Sequence, residues 1–491
     1  MTAATRVPEL RVRALNSAEL RANADYVLYW MVAFRRATHN FALDRAVEVA
    51  REYKLPVLVL EALRCDYDWA SDRLHHFVLD GMSVNRAAFE AAGVAYHAYV
   101  EPTLGAGRGL MQALSERAAL VVTDDYPCFF LPQMTAALAE RVGVRVEAVD
   151  SNGLIPLRAF ERSYVRAFDF RKQAQRLLCD HAQHAPAAKL AAAGLPPLAK
   201  LPKSVRERWP AASMDLLSGK RQELARLPID HAVERAPARG GAEQARATLK
   251  RFLRERLDDY DEARNHPDAE ATSQLSPYLH FGHISAHEIL KQVLTAEDST
   301  LSDLRAGDPA SAKSFWGMRP GAVAFLDQLL TWRELGFNFS SFRPDDYARY
   351  DGLPAWALKS LMKHRRDERE VTYSRQRLEQ AETGDELWNA AQRELVRTGH
   401  MHNYLRMLWG KLVIGWSRSP EAAFETLVEL NNKYALDGRD PNSYSGIAWC
   451  FGRFDRAWGP ERPVYGLLRY MTSASARRKL KLKRYLQRFA V

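Results

Sequence analysis

Between residues 387 and 469 the chain gathers the side chains best suited to chemistry. The stretch opens LWNAAQRELVRTGHMHNYLRMLWGKLVIGW and, after an apolar helix, continues NNKYALDGRDPNSYSGIAWCFGRFDRAWGPERPVYGLLR. Trp388, Trp409 and Trp416 fall in helical patterns, and the last two are seven residues apart, about two turns or roughly 10 Å along one helix face. Arg406 sits one turn before Trp409, on the same side. Asp437, Asp440 and Asn442 lie in a turn-rich, charged loop between two apolar segments. Trp449 and Trp458 follow, interleaved with Arg453 and Arg456. Tryptophans at helical spacing usually fill helix interfaces, and an isolated Arg–Asp surface pair contributes little. Closely spaced indoles leading away from an arginine and an aspartate suit a redox cofactor better than packing alone.

A second set precedes it. Tyr260 stands ahead of ATSQLSPYLHFG, residues 271–282, where Ser276 and Pro277 read as a helix N-cap and first-turn pair. Thr272 and Ser273 bring hydroxyls close to that N-terminus, a place that suits a phosphate or, equally, a plain capped helix. The C-terminal run Arg477, Arg478, Lys479, Lys481, Lys483 and Arg484 reads as a solvated helix face or as a row of phosphate contacts.

These residues need elements to hold them. At 491 residues and 47% hydrophobic content, the chain supports two or three packed domains. Residues 26–33, 55–60, 94–100, 120–123 and 144–149 are short β-rich runs. Helical patterns at 41–53, 72–92 and 131–141 lie between several of them. That alternation predicts a doubly wound α/β domain with a parallel sheet, ligands meeting the carboxyl ends of the strands near 33–36, 61–65 and 124–127. Residues 184–204 are rich in Ala, Pro and Lys, and a second break comes at APARGG, 236–241. The expected division is therefore an α/β domain, 1–183, a linker, 184–240, and an all-α domain, 241–491, with a polar surface loop at 296–313. Cys65, Cys128, Cys179 and Cys450 are too scattered for a zinc or cluster site and read as reduced thiols. The apolar run from Tyr26 is too short for a secretory leader, and no run approaches a membrane span, so a soluble, cytoplasmic protein is expected. A net charge of +10 and a pI near 9.3 favour a polyanionic partner.

The run LWNAAQRELVRTGHMHNYLRMLWGK, the loop NNKYALDGRDPNSYSGIAW and the tail ERPVYGLLRYM closely resemble the class II cyclobutane pyrimidine dimer photolyases, over nearly the whole chain. The resemblance implies a flavoenzyme that repairs ultraviolet-damaged DNA with light, as a monomer. It implies an N-terminal antenna domain taking an optional deazaflavin or folate, and a helical domain holding FAD, fully reduced in the active form. Tyr260, Thr272, Ser273, Leu275 and Ser276 would hold the diphosphate and ribityl chain. Arg406 and Asp437 would be the ion pair beside the isoalloxazine, with Asp440 nearby and Asn431, then Asn442, as candidates for the residue at flavin N5. Trp332, Met407 and Trp449 would line the dimer pocket. Trp409, fed by Trp388 and then Trp416, would pass electrons to the flavin. Arg456 and Trp458 would fill the gap left by a flipped dimer, Arg453 would also contact the DNA, and Arg477, Arg478 and Lys479 would meet phosphates. One position departs from the family: most class II relatives carry glutamate four residues before the tryptophan, where this chain has Gln328, beside Asp327. An amide still donates to a base carbonyl but has no acid proton to give. A cryptochrome-type light sensor without repair, and a cofactor-free basic nucleic-acid binder, are the competing readings.

Overall fold

The computed structural model describes residues 7–190, 192, 194–198, 200–304 and 315–490. The part of the surface-loop expectation that falls on 305–313 lies outside them. Six strands form one sheet: β1 (Val12–Ala14), β2 (Tyr26–Met31), β3 (Val57–Leu63), β4 (Ala95–Val100), β5 (Ala118–Asp124) and β6 (Val146–Val149). Their order is β1-β6-β5-β2-β3-β4, with β1 antiparallel on the edge and the rest parallel. Every residue of β2 and β5 is buried, because helices cover both faces of a parallel sheet and its strands therefore read as unbroken apolar runs. The edge strand β1, VRA, escapes prediction for the opposite reason: it is three residues long and half in water.

The strand order reverses between β2 and β5, where α/β sheets open a crevice at their carboxyl ends. Here Asp124, at the end of β5, ties down the chain as it leaves β2. One carboxylate oxygen accepts the N–H groups of Val32, Ala33 and Phe34 at 2.9, 2.7 and 2.9 Å, and the other accepts the Tyr29 hydroxyl at 2.8 Å. Burial still raises its pKa against those bonds.

The chain divides into two compact units that interleave. One comprises Met1–Glu161, Leu177–Lys250 and Leu275–Ser302; the other comprises Arg162–Arg176, Arg251–Gln274 and Asp303–Val491. Residues 275–302, expected with the helices, pack with the sheet unit: Arg36 donates to the Gly282 carbonyl at 2.8 Å, and Arg246 pairs with Glu288 at 2.6 Å. Gly282, at φ 71°, is required there, since a Cβ would stand 2.1 Å from the Ala33 carbonyl oxygen. The expected linker is no bare tether either. Leu190, Ala192 and Leu195 pack on the sheet core, and buried Trp209 donates its indole N–H to the Ala106 carbonyl at 2.9 Å.

After β6 the described residues contain no further strand. The second unit is built on helices Glu386–Thr398, Asn403–Trp416, Pro420–Tyr434 and Pro441–Cys450, packed in succession, with helix Glu334–Phe342 against the last. Their starts are coded locally. Asp385, Ser419 and Asp440 cap the first, third and fourth by accepting the N–H of Trp388, Ala422 and Asn442, and Pro420 and Pro441 occupy first-turn positions where no amide hydrogen is needed. Gly399, at φ 71°, ends the first. No helix among the described residues is long and apolar enough to cross a membrane.

Candidate active site

Helix Asn403–Trp416 is buried along most of its length, but Arg406 and Met407 are only half-buried. Beside them, the half-buried set continues with Asp437, Asn442 and Trp449. Arg406 Nη2 donates to Asp437 Oδ1 at 3.0 Å. That is the only protein acceptor for its five N–H groups among the described residues, so four donors remain for something else. The Ser443 hydroxyl donates to the Asp437 carbonyl at 2.7 Å and fixes the loop from behind.

Asp440 acts through its neighbour. It is buried, and its Oδ1 accepts both the backbone N–H and the side-chain Nδ2 of Asn442, at 2.8 and 3.0 Å. The Asn442 oxygen approaches Gly336 so closely that a Cβ there would lie 2.6 Å away. Asn431 is buried; its Nδ2 donates to Asn432 Oδ1 at 3.2 Å, and its own oxygen accepts nothing from the described residues. Arg439, in a left-handed conformation at φ 62°, ties the DGRD turn down by donating to both the Asn432 carbonyl and the Asn432 side chain.

The tryptophans form a path. Trp388 and Trp409 are 1% and 2% exposed and stack with ring centroids 6.2 Å apart and planes within 8°. Trp388 meets the half-buried Trp416 edge-on at 5.6 Å. Trp388 donates its indole N–H to the Trp409 carbonyl at 3.1 Å, and Trp409 donates to Gln392 Oε1 at 2.9 Å. Gln392, fully buried, escaped the sequence reading; its signal was a polar residue one turn after Trp388 on an apolar face.

Gln328 and Trp332 occupy a π-helical segment, Gln328–Arg333, that joins helices Pro320–Asp327 and Glu334–Phe342. Such widened turns often mark functional positions. Both side chains are half-buried, and the Gln328 amide has no hydrogen-bond partner among the described residues.

Two guanidinium groups lie over the Trp458 ring, Arg456 at 4.7 Å and Arg469 at 4.5 Å, and its indole N–H donates to Asp455 at 3.0 Å. Arg469 also reaches Trp449, at 6.0 Å. Lys411 lies 5.2 Å from the Trp449 ring centroid. It is fully buried, and its Nζ donates to the Cys450 carbonyl at 2.6 Å. Burial lowers its pKa to about 8, opposed by Cys450 and Asp455 and aided by Arg469. Nothing local in the sequence marks Lys411 or Arg469, since a lysine within an apolar helix and an arginine in a tail carry no signature of their own.

One expected DNA-facing residue is corrected. Arg453 is buried, donates to the Gly352 carbonyl and lies over the Phe339 ring at 4.9 Å, so it braces the fold. Of the C-terminal cations, Arg478 and Lys479 are exposed, and Arg477, also exposed, pairs with Glu386 at 2.8 Å.

The residues expected to hold a diphosphate fall on both sides of the division between units. Tyr260, Thr272 and Ser273 belong to the helical unit, and Leu275 and Ser276 to the sheet unit. Tyr260 is buried edge-on against Phe252 and Phe325, at 5.5 and 5.6 Å. The helix begins at Ser276 itself, so the cap position is Leu275 and no side chain caps it. The four spare Arg406 donors, the carboxylate that fixes them, the open Asn431 oxygen and the flanking Met407 and Trp449 fit a planar group with hydrogen-bonding edges and partial negative charge. The described residues contain no group of three or more His, Cys, Asp or Glu able to hold a metal ion.

No family model matches the chain. A deoxyribodipyrimidine photo-lyase of Methanothermobacter thermautotrophicus is 33% identical over 483 residues, 97% of each chain. One of Oryza sativa subsp. japonica is 34% identical over 478 residues, 94% of this chain and 86% of that one. Among solved structures, a class III photolyase from Agrobacterium tumefaciens has a TM-score of 0.69 at 18% identity, covering 96% of this chain and 87% of its own. A Synechocystis cryptochrome has 0.66 at 15%, covering 94% and 88%. Those two speak for the fold, an α/β parallel-sheet domain with a helical remainder. The two sequence relatives, matched almost end to end at a third identity, say more: the chain belongs to the deoxyribodipyrimidine photo-lyases, a family of lyases.

Proposed function

We propose that this chain is a class II photolyase that reverses cyclobutane pyrimidine dimers in ultraviolet-damaged DNA under blue light. The relatives' name supports the reaction, and the quoted class II motifs support the class. The observation that carries the reading is the half-buried Arg406–Asp437 pair, with its spare donors, on the helix that also bears Trp409 and Trp416.

FAD fits this donor set; when bound, reduced and excited, it supplies the electron that opens a cyclobutane ring. Arg406 holds negative charge, and Asp437 keeps the guanidinium oriented. Asn431 and Asn442 contribute amide hydrogen bonds, the second aimed by Asp440. Tyr260, Thr272, Ser273, Leu275 and Ser276 bind the diphosphate and ribityl part. Trp332, Met407 and Trp449 provide flat apolar walls for two joined pyrimidines, and the free Gln328 amide donates to a base carbonyl. Trp416, Trp388 and Trp409 relay electrons inward from the surface. A dimer inside a duplex must leave the stack, at a cost of a few kcal/mol, and Arg456 and Trp458 fill the space behind it. Arg478 and Lys479, with Arg477 in support, meet phosphates. The sheet unit serves as the antenna domain for a deazaflavin or folate, the helical unit is the repair domain, and the enzyme acts as a monomer inside the cell.

The first test is the chromophore. Protein purified in the dark should release FAD on denaturation, as identified by mass spectrometry, and Arg406→Met should retain less of it. A colourless preparation, or FMN alone, overturns the proposal.

A further inference from the structure

We infer that the outward face of residues 162–176 is a second DNA contact, gripping the sugar–phosphate backbone of the duplex beside the lesion; this rests on the repair reading above. The segment is fastened at both ends of the site just described. Arg166 forms a parallel β-bridge with Phe454, two residues before Arg456 and four before Trp458. Farther along, Arg171 makes a two-pronged pair with Asp327 at 2.7 and 2.9 Å, next to Gln328, and the Thr331 hydroxyl donates to the same carboxylate at 2.7 Å. The fully buried Asn338 fixes the extended start, accepting the Tyr164 N–H at 3.3 Å and donating to the Arg162 carbonyl at 3.0 Å. A surface held this firmly to the wedge loop and the pocket turn is preorganised for whatever binds both.

Its inward side chains, Tyr164, Ala167, Phe170 and Ala174, are buried. The outward ones are of two kinds. Val165 and Phe168 are large apolar groups 61% and 51% exposed. Arg162, Lys172 and Arg176 are exposed cations with no carboxylate in ion-pair distance among the described residues, whereas Arg166 is matched by Asp169 and Arg171 by Asp327. Phe168, Lys172 and Arg176 recur every fourth residue on helix Ala167–Ala182, so they form one stripe. Unmatched cations set beside exposed apolar groups complement a nucleic-acid backbone, which offers phosphates beside the apolar faces of deoxyribose. Because such contacts touch no base edge, they position the duplex without reading sequence or damage.

The test is the salt dependence of binding by the full chain in the dark, measured by fluorescence anisotropy on two duplexes, one undamaged and one with a single thymine dimer. Each phosphate contact contributes about 0.9 to the slope of log affinity against log salt. Lys172→Ala with Arg176→Ala should make that slope shallower by about 2 on both duplexes, with repair per absorbed photon at saturating DNA unchanged. Phe168→Ser should weaken both duplexes without moving the slope. An unchanged slope in a double variant that melts like wild type overturns the inference, as does a loss confined to the damaged duplex. Wild type that binds DNA but never repairs it in light would instead remove the repair reading, and the slope comparison would still decide this face.

Discussion

At the scale of single residues, two buried side chains separate packing from function. Trp409 has its N–H satisfied by Gln392 and its ring stacked on Trp388, which is all that a core residue requires. A relay requires in addition that its loss leave repair intact. Trp409→Phe keeps an aromatic ring in place, so prereduced enzyme should repair at close to the wild-type rate, while photoreduction of the oxidised cofactor, followed by absorbance, should slow at least tenfold. Equal photoreduction would reduce the stack to packing. Lys411 poses a different question, since a buried ammonium without a carboxylate is costly. Its proton leaves the native state near pH 8 but the unfolded state near about 10.4. The unfolded chain therefore binds more protons across that window, and native stability rises with pH there as the burial cost is relieved. Lys411→Met lacks this dependence. Chemical denaturation at pH 7 and pH 10 should show wild type gaining roughly 2–3 kcal/mol on the variant; a gap independent of pH would mean that the native lysine holds its proton as firmly as the unfolded one.

At the scale of elements, the site depends on how closely two helices approach. Gly336, in Glu334–Phe342, leaves room for the oxygen of Asn442 and the hydroxyl of Ser445, which a Cβ would meet at 2.6 and 3.0 Å. Gly336→Ala should cost about 1–3 kcal/mol by overpacking and, by tilting Asn442 away from Asp440, lower FAD retention more than a surface Gly→Ala change of equal cost. Thermal melts with a cofactor titration check both. The sequence announced most of these elements. Asp385, Ser419-Pro420 and Asp440-Pro441 are local start signals that any chain would obey, and the continuous apolar runs of β2 and β5 could hardly be anything but buried strands. What stayed hidden depends on contacts far apart in sequence. The π-helical turn at Gln328 has no composition of its own, the interleaving of the two units rests on pairs such as Arg36 with Gly282, and Arg453 looked like its exposed neighbour Arg456 until the fold placed it against Gly352.

At the scale of the whole molecule, a net charge of +10 favours non-specific attraction to DNA, and on the proposed reading discrimination comes from the pocket that holds the flipped dimer and, in a duplex, from the residues that replace the flipped bases. Arg456→Ala combined with Trp458→Ala should therefore weaken binding to a dimer in duplex DNA more than to the same dimer in a single strand, which has no stack to refill. Equal losses would make Arg456 and Trp458 supports for the fold. The measurement that bears most directly on the proposed repair is the fate of a thymine dimer in an oligonucleotide incubated with purified, prereduced protein in darkness and under blue light. Two restored thymines, with the strand intact, are expected in the illuminated sample only. Dimers that persist under light in protein carrying a full complement of FAD would contradict it and leave the chain a light sensor on a repair enzyme's scaffold.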